Sequence, residues 1–326
     1  MSEPIIQIRG LRKTYGKVQA LQGIDLDMGA GTIGLLGPNG AGKTTMIKLL
    51  LGLLTPDMGT ASIAGHSPFN ARDRRAVREV VGYMPEGDCL LPGMTAVEMV
   101  TTLARLTGLS RKDAMARAHE SLDYVGLDEA RYRATDQYST GMKQRLKLAQ
   151  ALAHTPPVLL LDEPTNGMDP AGRKHMLEII EDLGRVQGKN VVLCTHLLPD
   201  VEKTCDKVVV LKEGQVVRQG MVEDMTAADG RILEVKYLPV DAPVHEHLPE
   251  GILDVLDQEP GSLRVHLSSA TGDADPLFRA ALEAGARITS VEPDRTSLEQ
   301  VFLEAVGISP GSRGAVAPEH EDGGLG

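Results

Sequence analysis

Gly37-Pro38-Asn39-Gly40-Ala41-Gly42-Lys43-Thr44-Thr45 lies between an apolar run, Thr32 to Leu36, and the stretch Thr44 to Leu51. In that stretch Met46, Ile47, Leu49, Leu50 and Leu51 fall mostly on one side of a helix. The nine residues fit G-x-x-x-x-G-K-[ST], and the order strand, glycine-rich turn, helix is the setting in which that pattern binds phosphate. The reason is geometric. Glycines let backbone N–H groups close around phosphate oxygens, and the positive end of the helix dipole points at them. On this reading the backbone from Gly37 to Thr45 cradles the phosphates, Lys43 reaches the β- and γ-phosphates, and the Thr44 hydroxyl ligates Mg²⁺. A glycine-rich turn that matches by chance needs neither the strand before it nor the helix after it. The stretch predicts a P-loop that binds a nucleoside triphosphate.

Outward from the loop, Val158-Leu159-Leu160-Leu161 and Val191-Val192-Leu193-Cys194 are continuous apolar runs. Such runs mark strands buried on both faces of a parallel sheet. Ala171 to Leu183, between them, suits a helix. Near the N-terminus Ile24, Leu26 and Met28 alternate with Asp25 and Asp27, as in a half-buried antiparallel strand, and the first 65 residues read mainly as strands. The expected fold class is therefore α/β: a P-loop NTPase three-layer core with an antiparallel β subdomain, over about residues 1–225. A helical insert interrupts it at about 87–155. There Thr95 and Glu98 form a capping box, Ser110 caps a second helix ending near Gly126, and a third begins near Thr140 and runs toward His154.

Residues 230–306 read as a small α+β domain of ferredoxin-like kind. Leu233, Val235 and Tyr237 alternate, and Ile252 to Leu256 is expected to pair with Leu263, Val265 and Leu267 across Pro260-Gly261. A helix from Pro276 to Ala284, a strand around Ile288 to Val291, and a helix opened by Ser297 and Gln300 follow. Residues 307–326, rich in glycine and proline, read as a disordered tail.

The chain has 326 residues, of which 42% are hydrophobic, and no run approaches the ~18 apolar residues of a membrane span. Its net charge is −11; residues 231–306 carry six basic and fourteen acidic side chains. That balance lacks the basic footprint of a nucleic-acid binder, so no nucleic acid is expected as partner. Cys89, Cys194 and Cys205 show no C-x-x-C spacing, which points to unpaired thiols in a reducing compartment. Met1 to Gly10 has no basic region followed by an apolar core, so no signal peptide is expected, and a cytoplasmic location is.

Val158 to Glu163 ends in two carboxylates. Asp162, at the C-terminal end of its strand, is placed to hold Mg²⁺ directly or through water. Glu163 can orient and polarise an attacking water.

Taken together, Tyr15, GPNGAGKTT (37–45), YMPE (83–86), YSTGMKQR (138–145), LLLDEPTNGMD (159–169) and THLLPD (195–200) resemble the ATP-binding subunit of an ABC transporter, of the bacterial exporter-like (ABC-2-like) type. The resemblance covers residues 1 to about 225. It implies an ATPase with ATP and Mg²⁺ at its site. Tyr15 falls at the adenine-stacking position, although an aromatic in a turn taken alone reads as packing. Ser139 and Gly141 match the signature that binds the nucleotide held by the opposite subunit, while Thr140 and Met142 stand where the family usually has Gly and Gln. Glu86 stands where most relatives carry a Gln that touches Mg²⁺ and water. Asn166 to Asp169 match a loop that contacts the partner, and His196 matches the histidine that bonds the γ-phosphate and holds Glu163.

The resemblance further implies a dimer with a second copy or a similar ATPase subunit. It also implies a separate transmembrane permease subunit that holds the chain peripherally on the inner face of the cell membrane and moves a substrate, by export. The other readings are a soluble ABC ATPase acting on ribosomes or DNA, and a regulatory binder that hydrolyses little ATP.

Overall fold

A computed structural model of the chain describes residues 4–226, 228–238, 244–248, 253–259, 261–267, 275–295 and 298–307. Ile252, Pro260, Ser297 and the tail from 308 onward, each part of an expectation above, lie outside the described residues. The chain divides into two compact units: residues up to Val222 together with those from Phe302 on, and Glu223–Val301. The sequence placed the division at about 225–230 and left the last helix with the second unit. The end of that helix instead groups with the first, where Lys212 Nζ donates to the Val306 carbonyl at 2.7 Å.

The first unit opens with β1 (Ile6–Tyr15), β2 (Val18–Met28), β3 (Thr32–Leu36), α1 (Lys43–Leu50), β4 (Met58–Ile63), α2 (Arg74–Val80) and β5 (Val81–Met84). Three helices follow: α3 (Ala96–Leu106), α4 (Arg111–Tyr124) and α5 (Thr140–Leu152). The unit continues with β6 (Val158–Asp162), α6 (Pro170–Arg185), β7 (Asn190–Cys194), α7 (Leu198–Thr204), β8 (Lys207–Lys212) and β9 (Gln215–Met221), before a one-turn helix α8 (Val222–Met225). β2, β1 and β4 form an antiparallel sheet in that order. The central sheet runs β5-β6-β7-β3-β8-β9 and is parallel except for its edge strand β9.

The reason for this arrangement is visible in the strands. Every residue of β3 and β6 is buried, so neither strand has a polar face to show to water. Gly34 lets α7 close directly onto β3: a Cβ there would lie 2.5 Å from Val201 Cγ1. The helix starts follow local chemistry. Thr95 and Glu98 exchange both bonds of a capping box at α3, and the Ser110 and Ser139 side chains cap α4 and α5. Because β3, β5, β6 and β7 all point the same way, the segments leaving their C-terminal ends emerge along one edge of the sheet. Those segments begin at Gly37, Pro85, Glu163 and Thr195.

The second unit contains β10 (Ala228–Leu238), a single 3₁₀ turn at Val244–His247, β11 (Leu253–Glu259), β12 (Ser262–Leu267), α9 (Asp275–Glu283), β13 (Arg287–Arg295) and the start of α10 (Leu298–Val306), whose residues from Phe302 on belong to the first. Its four strands form one antiparallel sheet in the order β11-β12-β10-β13. Leu233, Val235, Leu263 and Val265 share a core with Leu277, Ala280 and Ala281 of α9. The later elements follow the second half of a β-α-β-β-α-β plan. Where that plan has its first helix, the described residues hold only the 3₁₀ turn.

Candidate functional site

Gly42 is the N-cap of α1 and has φ +107°, a region that favours glycine; a Cβ there would also lie 2.5 Å from the Ala20 carbonyl oxygen. No side chain caps this helix, so its first N–H groups and its positive end face the loop. Lys43, nearly buried, turns its Nζ to the loop's own carbonyls, donating to Gly37 at 2.5 Å and Pro38 at 3.3 Å. The ammonium thus sits at the centre of the loop. A cavity of about 290 Å³ opens over it, lined by Asn39 to Thr45 together with Tyr15, Glu86, Asp162 and Glu163. The Tyr15 ring is not packed away. It is 46% exposed, and Lys13 Nζ stands 5.8 Å from its centroid.

The two carboxylates after β6 are held differently. Glu163 has φ +49°, in the left-handed region, which for a residue with a side chain costs on the order of 1–3 kcal/mol. Its N–H is tied to the Cys194 carbonyl at 2.8 Å. Its carboxylate takes two partners from the segment after β7: His196 Nδ1 at 2.9 Å from Oε1 and the Thr195 hydroxyl at 3.3 Å from Oε2. With an ionised carboxylate as acceptor, Nδ1 is the donor. Asp162 is also buried, but its Oδ2 finds no hydrogen-bond partner. Burial first, then the charges of Glu86 and Glu163, push its carboxyl up to about 6, against the opposing pull of Lys43.

The cavity is therefore short of positive charge at Asp162. A hard divalent cation fits that donor set: Thr44 hydroxyl and the Asp162 and Glu86 carboxylates, all on the cavity wall. Among the described residues no group of three or more His, Cys, Asp or Glu is placed to hold a metal. Mg²⁺ in general takes one or two protein carboxylates and completes its shell from water and substrate phosphates.

Six sequence-derived site residues are not in the lining of this cavity: Gly37 and Pro38, whose carbonyls face Lys43, His196, which reaches it through Glu163, and Ser139, Gly141 and Asp169. Ser139 and Gly141 lie at the start of α5, where the Ser139 hydroxyl accepts from the Met142 N–H at 3.3 Å. Asp169 is the N-cap residue of α6, just before Pro170 at its first turn. Gln144 joins the two regions by donating to the Asn166 carbonyl at 2.9 Å. Sequence reasoning missed three supporting groups: Thr195 on the Glu163 carboxylate, Lys147 beneath the Glu86 segment, and Asp200. Asp200 is 1% exposed and accepts from Thr165 Oγ1 at 2.7 Å and Arg173 Nε at 2.8 Å. The available signals were a lysine inside the apolar Leu146-to-Ala151 stretch and a carboxylate amid Val201 and Thr204.

A family profile described as ABC transporter matches residues 21–166. The chain is 32% identical to the uncharacterized ABC transporter ATP-binding protein YxlF of Bacillus subtilis (strain 168), over 93% of this chain and 99% of that one. It is 33% identical to the daunorubicin/doxorubicin resistance ATP-binding protein DrrA of Streptomyces peucetius, over 93% and 92%. Among solved structures it is similar to the ATP-binding cassette MJ0796, seen as a dimer in a post-hydrolysis state with ADP and Pi. There the TM-score is 0.62 and the identity 27%, covering 67% of this chain and 98% of that one.

Proposed function

Since the chain belongs to the family of ABC transporter ATP-binding proteins and is an ATP-hydrolysing enzyme of that family, we propose that it dimerises around two ATP molecules and powers export through a separate membrane subunit. The observation that carries the reading is Glu163 on the wall of the P-loop cavity, its carboxylate held by Thr195 and His196.

In this reading the N–H groups of residues 39–45 and Lys43 hold the β- and γ-phosphates, and Tyr15 stacks on the adenine, contributing ~1 kcal/mol. Thr44, Asp162 and Glu86 would hold Mg²⁺, which would offset the charge on the phosphates and orient them. Glu163 accepts the proton of the water that attacks the γ-phosphorus, and ADP departs with the transferred phosphate left as Pi. His196 fixes the Glu163 carboxylate by its Nδ1–H and lies beside the γ-phosphate. Ser139, Gly141 and Asp169, lying outside their own chain's cavity, serve the nucleotide of a second subunit. Such a site is incomplete in one chain, and the dimeric neighbour structure supports this arrangement.

No described helix is long and apolar enough to cross a membrane, and relatives named as ATP-binding proteins of export and resistance support a separate membrane subunit. A resistance-type relative and Glu86 in place of the usual Gln favour export. The test is Glu163→Gln. It is expected to bind ATP, to lose hydrolysis by about a thousandfold or more, and to elute as an ATP-dependent dimer on size-exclusion chromatography. Turnover near that of the wild type would remove Glu163 from the role of base. Capture of a polytopic membrane protein from detergent-solubilised native membranes by the same variant tests the transport half.

A further inference from the structure

Lys147 is 2% exposed, the least accessible lysine in α5, on a helix that otherwise buries Leu146, Leu148, Ala149 and Ala151. Burying an ammonium is expensive unless its donors are satisfied. Here they are, by three successive carbonyls of one loop: Lys147 Nζ donates to Pro85 O at 2.8 Å, Glu86 O at 2.8 Å and Gly87 O at 3.4 Å. Three N–H donors meet three acceptors, so the ammonium fixes the backbone on both sides of Glu86. The same face of α5 touches the next two residues of the loop. Lys143 Nζ lies 3.5 Å from Asp88 Oδ2, and Cys89 Sγ lies 3.8 Å from Gln150 Oε1. Residues 143, 147 and 150 have the i, i+4, i+7 spacing that lines up along a helix.

Glu86 itself lines the nucleotide cavity together with Asp162. We infer that Lys147 is a positioning residue for Glu86. It makes α5 a strut whose start carries Ser139 and Gly141 and whose middle, about 12 Å farther along, sets the metal side of the chain's own nucleotide site. The inference rests on the proposed reading of Glu86 as a group that faces Mg²⁺.

The experiment measures ATP affinity by calorimetry, with Mg²⁺ and with EDTA, in the Glu163→Gln chain and in that chain carrying Lys147→Met, Glu86→Ala, or both. The parent should bind ATP more tightly with Mg²⁺. Lys147→Met should remove about tenfold of that Mg²⁺-dependent tightening, the scale of losing a group that orients a metal ligand. Its affinity for metal-free ATP should stay within about twofold of the parent's. Because Lys147 acts through Glu86, the double variant should lose no more than Glu86→Ala alone.

A full Mg²⁺ effect in Lys147→Met, or losses that add in the double variant, overturns the inference; a lysine that only stabilises the fold gives one or the other. If Lys147→Met does not fold, Lys147→Gln, which keeps two N–H donors, is titrated in its place. It should lose part of the effect, and an unchanged effect overturns the inference equally. A parent chain that binds no ATP defeats the proposed function instead, so the two failures are distinguishable.

Discussion

Asp162 and Glu163 are adjacent carboxylates given opposite surroundings. Glu163 has a donor on each oxygen, whereas Asp162 is buried with one oxygen unpartnered. The consequence is a cost that depends on pH. Unfolded, Asp162 ionises near its ordinary value of 3.8; folded, it ionises near about 6. Between those values the folded state holds the extra proton, so stability falls as pH rises through the window and levels off above it. At neutral pH the ionised Asp162 then costs on the order of 2 kcal/mol after partial screening by solvent, and the variant Asp162→Asn carries no such slope. Urea unfolding without nucleotide or metal should show the variant gaining on the wild type from about pH 4 to pH 6 and holding that lead at pH 8. Parallel curves across that range would show that burial does not penalise this carboxylate. Both carboxylates were legible in the sequence because an apolar strand ran into them downstream of a P-loop. Lys147 was not, since a lysine in a helix ordinarily reads as a solvated cation, and only the meeting of α5 with the loop 85–89 reveals its acceptors.

At the scale of elements, α7 is fastened to its surroundings by a buried carboxylate. Asp200 ties it to Thr165, in the segment after β6, and to Arg173 in α6, whose Nη2 lies 2.6 Å from Oδ1. Breaking a buried pair by removing one partner typically costs 3–5 kcal/mol. Arg173 is one-third exposed, so water can partly replace it, and Arg173→Met should cost about 2 kcal/mol, seen as a lower urea midpoint with an unchanged slope. A loss under about 0.5 kcal/mol would mean that Thr165 alone satisfies the carboxylate. Sequence patterns reached these elements unevenly, for a physical reason. The caps at Thr95, Ser110 and Ser139 are bonds between residues three apart, so the sequence contains both partners side by side. The place of β3 between β7 and β8 depends on pairings across more than half of the first unit, which no local pattern encodes. The ferredoxin-like expectation met a related limit. The alternation of Leu233, Val235 and Tyr237 signalled a strand, but nothing in it signals which neighbour the strand takes.

For the whole molecule, the two units have separate cores, and this difference is measurable. One core joins β1, β2, β3 and α1 through residues such as Ile8, Leu26, Leu35, Met46 and Leu49. The other joins β10, β12 and α9 through Val235, Val265 and Leu277, with no residue in common. All residues of the nucleotide cavity belong to the first unit. A ligand stabilises only the cooperative unit that binds it, by about 2.7 kcal/mol at a concentration one hundred times its Kd. Calorimetry of the Glu163→Gln chain should therefore resolve two unfolding steps, and MgATP should raise one of them by several degrees while leaving the other in place. The unmoved step should persist in Lys43→Ala, in which loss of the P-loop ammonium abolishes the ATP-dependent shift of the first. A single transition that moves as a whole with MgATP would show instead that the cores unfold together. In that case the Glu223–Val301 unit would share energetically in nucleotide binding, despite contributing none of its described residues to the cavity.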